Sequence, residues 1–524
     1  MGWRGIFVTV AVASSCAGAA LGQTTWSDEV RFGGYVRGYA GWNLDDPQEL
    51  PGNDRRRNSM LRGQAYLEAE GKQAAWQWKM AGRVAREKKT AYLGDLETLA
   101  RTRTVFGDPN LNVTGIYNTG EIREAWVQFQ PNDTLNVKFG RQQVVWGETD
   151  IVQALDVIHG YDFTWAPLLE DPDETRKPLI LLNATLSVPP ANGSLQLIVR
   201  PGWDGRKWIG STFDIYGGRA RTVGYKGASS IAGNGIDYDH PEGDRDKVTY
   251  ALRWRGLAGG LNYHLSYVNA HYTRNAIVNS AFAPFATPPR GGALIDFIYP
   301  IVDVYAAGLN GYAQGIDTVL SAELVFTNGE PFNVGTVPGG TVAASCLGPF
   351  SAIPEFTSFS GVCGVRRKDT LMAMIRAEKT YRTMDTLGSS GPLSASLQLF
   401  NTRILGFNEA EELVQTAGYP AKAHRDSTLA TLVLRAPFMG DKLTPTIALG
   451  RDIPNKGSFA AFALDYELGT HWRLRAEADF FRGQSTVRMA QFPGVGLLPV
   501  GDARGLPGLL DRNDRMYLRV TYQF

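Results

Sequence analysis

The sequence predicts an all-β fold: a transmembrane antiparallel β-barrel of 16 or 18 strands with short periplasmic turns and long external loops. Three observations lead there. Residues 516–524 (MYLRVTYQF) alternate without a break, with Met516, Leu518, Val520, Tyr522 and Phe524 on one face and Tyr517, Arg519, Thr521 and Gln523 on the other. That is a strand with one apolar and one wet face. Residues 472–480 repeat the pattern more strongly: Trp472, Leu474, Ala476, Ala478 and Phe480 oppose Arg473, Arg475, Glu477 and Asp479. Segments of this kind recur along the chain at the ~9–11 residues that a tilted strand needs to cross a bilayer.

From the N-terminus, residues 1–22 read as a secretory signal peptide. Arg4 supplies the positive charge, an uncharged stretch of apolar and small residues follows, and Ala20-Leu21-Gly22 fits a small-x-small cleavage site before Gln23. The stretch is short for a retained span of about 20 residues. Residues 23–524 are then expected to form a single barrel with inserted loop or plug segments.

The wall begins at 30–42, where Val30, Phe32, Val36 and Trp42 oppose Arg31, Tyr35, Arg37 and Tyr39. In 61–69, Leu61, Ala65 and Leu67 oppose Arg62, Gln64, Tyr66 and Glu68; in 76–84, Trp76, Trp78, Met80 and Val84 oppose Lys79 and Arg83. Further strands are expected at 122–130, 134–142, 179–188, 194–200, 248–255, 261–272, 316–327, 370–379, 393–404, 428–436, 443–451 and 460–467. These make about 17, and single-chain bacterial barrels have even numbers, hence 16 or 18. Turns such as Pro131-Asn132-Asp133, 189–193, 257–260 and 439–442 carry the Gly, Pro, Asn and Asp that tight hairpins need. The long segments 86–120, 145–178, 201–247, 273–315, 328–368, 405–427 and 483–515 are expected as external loops or inward folds.

Composition agrees. Formal charge is +1, so no basic excess points to nucleic acid. The 59 Gly suit turns and close strand packing, and the 21 Tyr and 12 Trp suit the two membrane interfaces. Cys16 leaves with the signal; Cys346 and Cys363 remain in a Gly/Pro/Ser-rich segment, which reads as a disulfide stapling an external loop. No nucleotide-binding, metalloprotease or nucleophile-elbow motif is present. The six His (159, 240, 264, 271, 424, 471) show no metal-ligand spacing and read as isolated polar residues. No cofactor, no metal and no catalytic residue is expected, although a Ser or Asp meeting a His from a distant strand remains an open alternative.

The closing strand, with Tyr522 two residues before a terminal Phe524, resembles the C-terminal signal by which outer-membrane barrels are recognised for insertion. Residues 140–148, Gly140-Arg141-Gln142-Gln143-Val144-Val145-Trp146-Gly147-Glu148, resemble the G-R-Q-x-V-x-W-G-E segment of a functionally unassigned family of large proteobacterial outer-membrane proteins. Asp156-Val157-Ile158 and the terminal strand extend the resemblance. It implies a bacterial outer-membrane location and, by analogy with gene neighbours of the resistance–nodulation–division type, traffic of apolar compounds or lipids across the envelope.

The lumen charges expected to line the pore are Arg37, Arg62, Arg83, Arg141, Glu148, Arg473, Arg475, Glu477 and Asp479. Arg141 and Glu148 would pair near one strand end; closing an inward fold and fixing it to the wall is favoured over direct solute contact. Two loops are unusually apolar. Residues 281–305 contain Phe297, Ile298 and Ile301, with Leu294, Ile298, Ile301 and Tyr305 at helical spacing before and after Pro300; residues 491–510 contain Phe492, Leu497 and Leu498. Either they pack as a plug or they contact an apolar ligand. Residues 88–103 are expected as a short helix packing through Leu93, Leu96 and Leu99. An arginine replacing Leu474 or Ala476 is expected to cost about 2–4 kcal/mol, and Arg475→Ala to be mild.

The expected function is a non-enzymatic outer-membrane channel or transporter for small molecules, hydrophobic ones above all. The alternatives are a hydrophilic diffusion porin, a lipid hydrolase, and a lipid or polymer export component. Expected partners are the lipid bilayer, the barrel-insertion machinery, small solutes, and a periplasmic or inner-membrane transporter.

Overall fold

A computed structural model of the chain describes residues 30–524 except 48–49, 51, 74–75, 103–109, 150, 166–167, 211, 214–239, 276, 281–294, 336–360, 362, 415–421, 486–487, 493–495 and 501–503. The expected signal peptide at 1–22 lies outside the described residues. The described strands close into a barrel of 18 antiparallel wall strands. In chain order they are β1 Val30–Asn43, β2 Asn58–Gln73, β3 Trp76–Glu87, β4 Thr119–Phe129, β5 Leu135–Gln142, β6 Leu179–Val188, β7 Gly193–Arg200, β8 Thr249–Ala258 and β9 Leu261–His271. They continue as β10 Ile301–Ala313, β11 Thr318–Val334, β12 Val365–Tyr381, β13 Leu393–Ile404, β14 Asp426–Arg435, β15 Leu443–Asp452, β16 Gly457–Leu468, β17 Trp472–Arg482 and β18 Arg515–Gln523.

Each wall strand pairs with its chain neighbours, and the last closes on the first. Val36 faces Tyr522 and Trp42 faces Met516 across the seam. The terminal Phe524 exchanges both backbone hydrogen bonds with Gly34, at 3.1 and 3.2 Å, and Arg37 Nε donates to Thr521 Oγ1 at 3.0 Å. Closure leaves no free sheet edge, which is the condition for strands in lipid.

Alternation sorts the faces as the sequence predicts. Val36, Leu67, Met80, Leu265, Ile375 and Leu399 are exposed on the outer wall, while Arg37, Gln64, Arg83, Gln196, Glu323 and Gln398 are buried inside. Aromatic rows girdle the wall at two levels. Trp76 with Phe129 and Trp472 with Tyr522 lie near the rim of short turns; Tyr250, Tyr267, Tyr305 and Phe326 form a continuous row nearer the other rim, with centroids 5.1–6.2 Å apart. A closed even-stranded barrel with an apolar outer belt between aromatic girdles is a protein of the bacterial outer membrane.

With the exception of residues 453–456 between β15 and β16, the short turns lie at the rim that carries the termini. They include Pro189–Ala191 followed by left-handed Asn192, Gly259-Gly260, and Gln314–Ile316 followed by left-handed Asp317. Long connections occupy the opposite rim. There α1, Ala91–Thr102, buries Tyr92, Leu93 and Leu96 with Val113 and Tyr117 of α2, Val113–Tyr117, against the inward residues Tyr39, Met60 and Tyr517. The expected helix at 88–103 is therefore present as packing over the barrel mouth.

One strand was not legible. The stretch read as a loop at 273–315 contains β10, which pairs Tyr305 with Tyr267 and Val304 with Thr327. The helical spacing through Leu294, Ile298, Ile301 and Tyr305 misled because Pro300 separates two strands, Ile295–Ile298 and β10, rather than kinking a helix. Including β10 fixes the count at the upper of the two even numbers. Cys363 is buried, with its amide donating to the Val334 carbonyl at 3.1 Å; Cys346 lies outside the described residues.

Candidate functional site

The connection from β5 to β6, residues 143–178, does not project outwards. It folds into the lumen and touches both sides of it. Its departure from the wall is set at Gly140, where φ is +126° and a methyl group would stand 2.2 Å from the Ala125 carbonyl oxygen, so only glycine fits. Gln142, fully buried, then donates to the Leu181 carbonyl at 2.9 Å.

The two ends of the loop are tied together by His159. Its Nε2 accepts from the Val144 amide at 3.0 Å, which requires the proton on Nδ1, and Nδ1 donates to the Lys177 carbonyl at 2.9 Å. Burial pushes its pKa down to about 4, so the ring is neutral. Asp156 completes the base of the fold, accepting from Tyr161 Oη at 2.6 Å and Arg176 at 2.7 Å.

One flank of the loop is apolar. Val144, Trp146, Leu155 and Ile158 form a single buried cluster with Ile198, Val268, Val304, Val325, Met374 and Phe400, inward residues of β7 to β13. Polar contacts fix the same flank. Trp146 Nε1 donates to Gln196 at 3.0 Å, and the Arg253 guanidinium lies 4.5 Å over the Trp146 ring. The Glu148 amide donates to Glu323 at 3.0 Å, and Arg376 donates to the Glu148 carbonyl at 2.9 Å.

The other flank is acidic and meets arginines of β1, β2, β3 and β18. Glu174, in the short helix α3 (Pro172–Thr175), accepts from Tyr35 Oη at 2.5 Å, Arg37 at 3.2 Å, Gln64 at 3.2 Å and Arg83 at 2.9 Å. Burial raises its pKa, but Arg37 and Arg83 outweigh this and hold the carboxyl below its ordinary value. Glu170 accepts from Tyr39 Oη at 3.0 Å and Arg519 at 2.5 Å. Between them Trp165 stacks under Arg62, 4.6 Å from its ring centre, and edge-on to Tyr39.

Arg37, Arg62, Arg83, Arg475, Glu477 and Asp479 all point inwards as the alternation predicts, yet they meet this loop instead of open water. Arg475 spans Asp465 at 2.7 Å and Glu477 at 2.9 Å and donates to the Leu169 carbonyl; Glu477 accepts the Leu169 amide at 3.0 Å and Asp479 the Leu168 amide at 3.5 Å. Arg473 is inward but sits at the turn rim beside Glu467, 3.2 Å away.

Arg141 requires correction. In the register Val127–Phe139 and Ala125–Arg141 it shares the outward parity of Phe139, and its guanidinium lies 4.3 Å over Trp208, 3.5 Å from Asp204 and 2.9 Å from the Pro178 carbonyl. The expected Arg141–Glu148 pair is thus replaced by a wall clasp at Arg141 and, at Glu148, by backbone bonds to Glu323 and Arg376. The reason is that the chain turns inwards between the two residues.

The apolar-loop residues also change role. Ile298 is fully buried in the central cluster, and Ile301 is the first residue of β10, paired with His271. Both serve packing or wall. Phe492, Leu497 and Leu498 fall in a hairpin, Arg488–Phe492 with Gly496–Val500; their side chains, and that of Phe297, lie outside what is described. Among the described residues no group of three or more His, Cys, Asp or Glu is placed to hold a metal. The sequence does not single out Glu170 or Glu174, and it shows Asp156 only as part of the family resemblance and His159 only as an isolated polar residue. The acidic run Glu170-Asp171-Pro172-Asp173-Glu174 was the available signal.

No curated protein matches the chain in sequence. Solved structures are similar at low identity. Pseudomonas aeruginosa OpdK with vanillate is 9% identical, covering 94% of this chain and 98% of that one at a TM-score of 0.45. Acinetobacter baumannii OccAB1 is 11% identical over 94% and 96% at 0.43, and Salmonella typhi OmpF in complex with daunomycin 10% identical over 94% and 97% at 0.41. Residues 89–524 match the family described as Protein of unknown function (DUF1302), and the chain belongs to that family.

Proposed function

We propose that the barrel is an outer-membrane channel for small molecules, gated by the folded-in loop 143–178, and that hydrophobic compounds are its preferred passengers. One observation carries the reading: the lumen is two-sided. Inward Val268, Val304, Val325, Met374 and Phe400 make an apolar sector where a water-filled pore has polar side chains, and the opposite sector is lined with paired charges. A solute with an apolar body gains by burial along the first sector once the loop yields. The insertion signal at Tyr522 and Phe524, the signal peptide, the Cys346–Cys363 staple and a periplasmic or inner-membrane transport partner belong to the same proposal.

Planar-bilayer conductance of the purified protein tests it, with and without apolar aromatic or fatty-acid-like solutes. Small conductance that such solutes alter supports the reading. Large, steady conductance that ignores them points instead to a hydrophilic diffusion porin.

A second reading, lipid hydrolysis, has one observation in its favour. Ser266 Oγ lies 3.3 Å from His264 Nδ1, and His264 Nε2 lies 4.0 Å from Glu323 Oε1, a nucleophile–base–acid order inside the lumen. Release of fatty acid from phospholipid micelles that vanishes in Ser266→Ala would establish it.

A further inference from the structure

The outer wall of β13 to β17 carries a feature separate from the lumen. One outward row crosses all five strands at one height: Leu397 pairs with Leu432, Leu432 with Leu449, Leu449 with Ala460, and Ala460 with Phe480. The next outward row, towards the long-loop rim, runs Ala430, Arg451, Ser458, Arg482. Residues two apart on a strand are about 7 Å apart, so the rows form one surface. Ala430, Ser458 and Ala460 are small, and among the larger Leu397, Leu449 and Phe480 they leave a depression of about 410 Å³ with an almost wholly apolar lining.

Two guanidiniums stand along its upper edge. Arg451 and Arg482 are both exposed, and Arg482 is oriented from one side by Asp514 at 2.8 Å. The rim directly above is low: residues 453–456 join β15 to β16 in a tight turn, with Lys456 exposed on it. Elsewhere on this rim the loops are long. The depression therefore opens at the level of lipid headgroups, with an apolar trough below and positive charge above.

We propose that this depression binds an anionic lipid of the outer leaflet, with an acyl chain in the trough and a phosphate against Arg451 and Arg482. Guanidinium binds phosphate through paired, charge-assisted hydrogen bonds. The small residues matter equally, because an arginine that merely extends to the interface needs no trough beneath it.

Native mass spectrometry of the full chain in a zwitterionic detergent tests this, using bisphosphorylated lipid A, its dephosphorylated form, phosphatidylglycerol and inorganic phosphate as separate probes. Retention of a phosphorylated lipid is expected, and whichever of lipid A or phosphatidylglycerol is held more tightly identifies the source. Arg451→Gln combined with Arg482→Gln should weaken retention about tenfold. Ala460→Trp, which fills the trough and keeps both guanidiniums, should do the same. Equal retention of the dephosphorylated lipid, binding of inorganic phosphate as strong as that of the lipids, variants that retain lipid unchanged, or an oligomer whose contact excludes lipid from this face would each overturn the proposal.

Discussion

Glu174 of the folded-in loop and Arg83 of the barrel wall meet twice: the carboxylate lies 2.9 Å from the guanidinium, and the same guanidinium donates to the Glu174 backbone carbonyl at 2.7 Å. A wall arginine thus holds both the charge and the chain of the loop. Glu174→Gln keeps the shape and removes the charge that Arg37 and Arg83 share. Removing one member of a buried pair costs about 3–5 kcal/mol, here felt as weaker seating of the loop. The expected outcome is a higher open fraction in planar bilayers and faster proteolysis within 143–178. Its pH dependence has a definite sign. A carboxyl held below its ordinary 4.5 gives stability that is present above that value and lost as pH falls through the lower, folded value. Wild type should therefore open as the solution becomes strongly acidic, and Glu174→Gln should show much less of this change. Open fractions that respond to acid equally in both proteins would rule out Glu174 as the seat.

His159 acts in a different window. It is neutral in the fold, with its pKa pushed from 6.5 to about 4 by burial. A histidine depressed in this way leaves stability complete above 6.5; below that the unfolded segment binds a proton and the folded one does not. Seating is lost progressively between pH 6.5 and about 4, by about 3 kcal/mol at most. Limited proteolysis of the loop across this range should track the loss. In His159→Ala the loop should already be more readily cut at neutral pH, and its dependence between 6.5 and 4 should flatten. A wild-type loop cut at one rate throughout would show that the Val144 and Lys177 contacts do not govern its seating.

Faces of the wall were legible because strand alternation depends only on the pleat: Val36 out and Arg37 in, Leu474 out and Arg475 in, follow from a period of two. The route of the chain between strands was not. Nothing in the period of 145–178 distinguishes an outward loop from an inward one, and that choice is made by partners distant in sequence, Glu174 with Arg37 and Arg83, Trp146 with Gln196 and Arg253. The motif around Arg141 suggests a lumenal side chain, whereas counting forward by two from outward Phe139 puts it outside. β10 was hidden because a strand whose inward residues are themselves apolar, Val302, Val304 and Ala306, loses the alternation that marks its neighbours.

The same inward loop alters the expectation for Arg475. In a water-filled lumen its removal would be mild, but here it lies between Asp465 and Glu477 and holds the Leu169 carbonyl. Arg475→Ala leaves Glu477, almost fully buried, without its cation. Ala476→Arg, on the neighbouring lipid-facing position, places a charge in hydrocarbon at about 2–4 kcal/mol. Urea unfolding in lipid vesicles should therefore show the two variants destabilised to a similar degree. A mild Arg475→Ala beside a severe Ala476→Arg would mean that water reaches the β16–β17 side of the lumen.

The apolar sector makes the sharpest claim about transport. If apolar solutes pass between the loop and β7 to β13, they bury surface against Met374 and Phe400, worth about 1.5–3 kcal/mol for a fully buried side chain of this size. Met374→Gln and Phe400→Gln should each weaken the effect of an apolar solute on the bilayer current about tenfold. Small-ion conductance should rise or stay level, since the loop loses apolar seating as well. Glu174→Gln separates the two effects, because it loosens the loop from the opposite wall and leaves the apolar sector intact: it should raise conductance and keep solute sensitivity. Were Met374→Gln and Glu174→Gln indistinguishable in both readouts, the apolar sector would be only the seat of the loop, and the preference for hydrophobic passengers would fall with it.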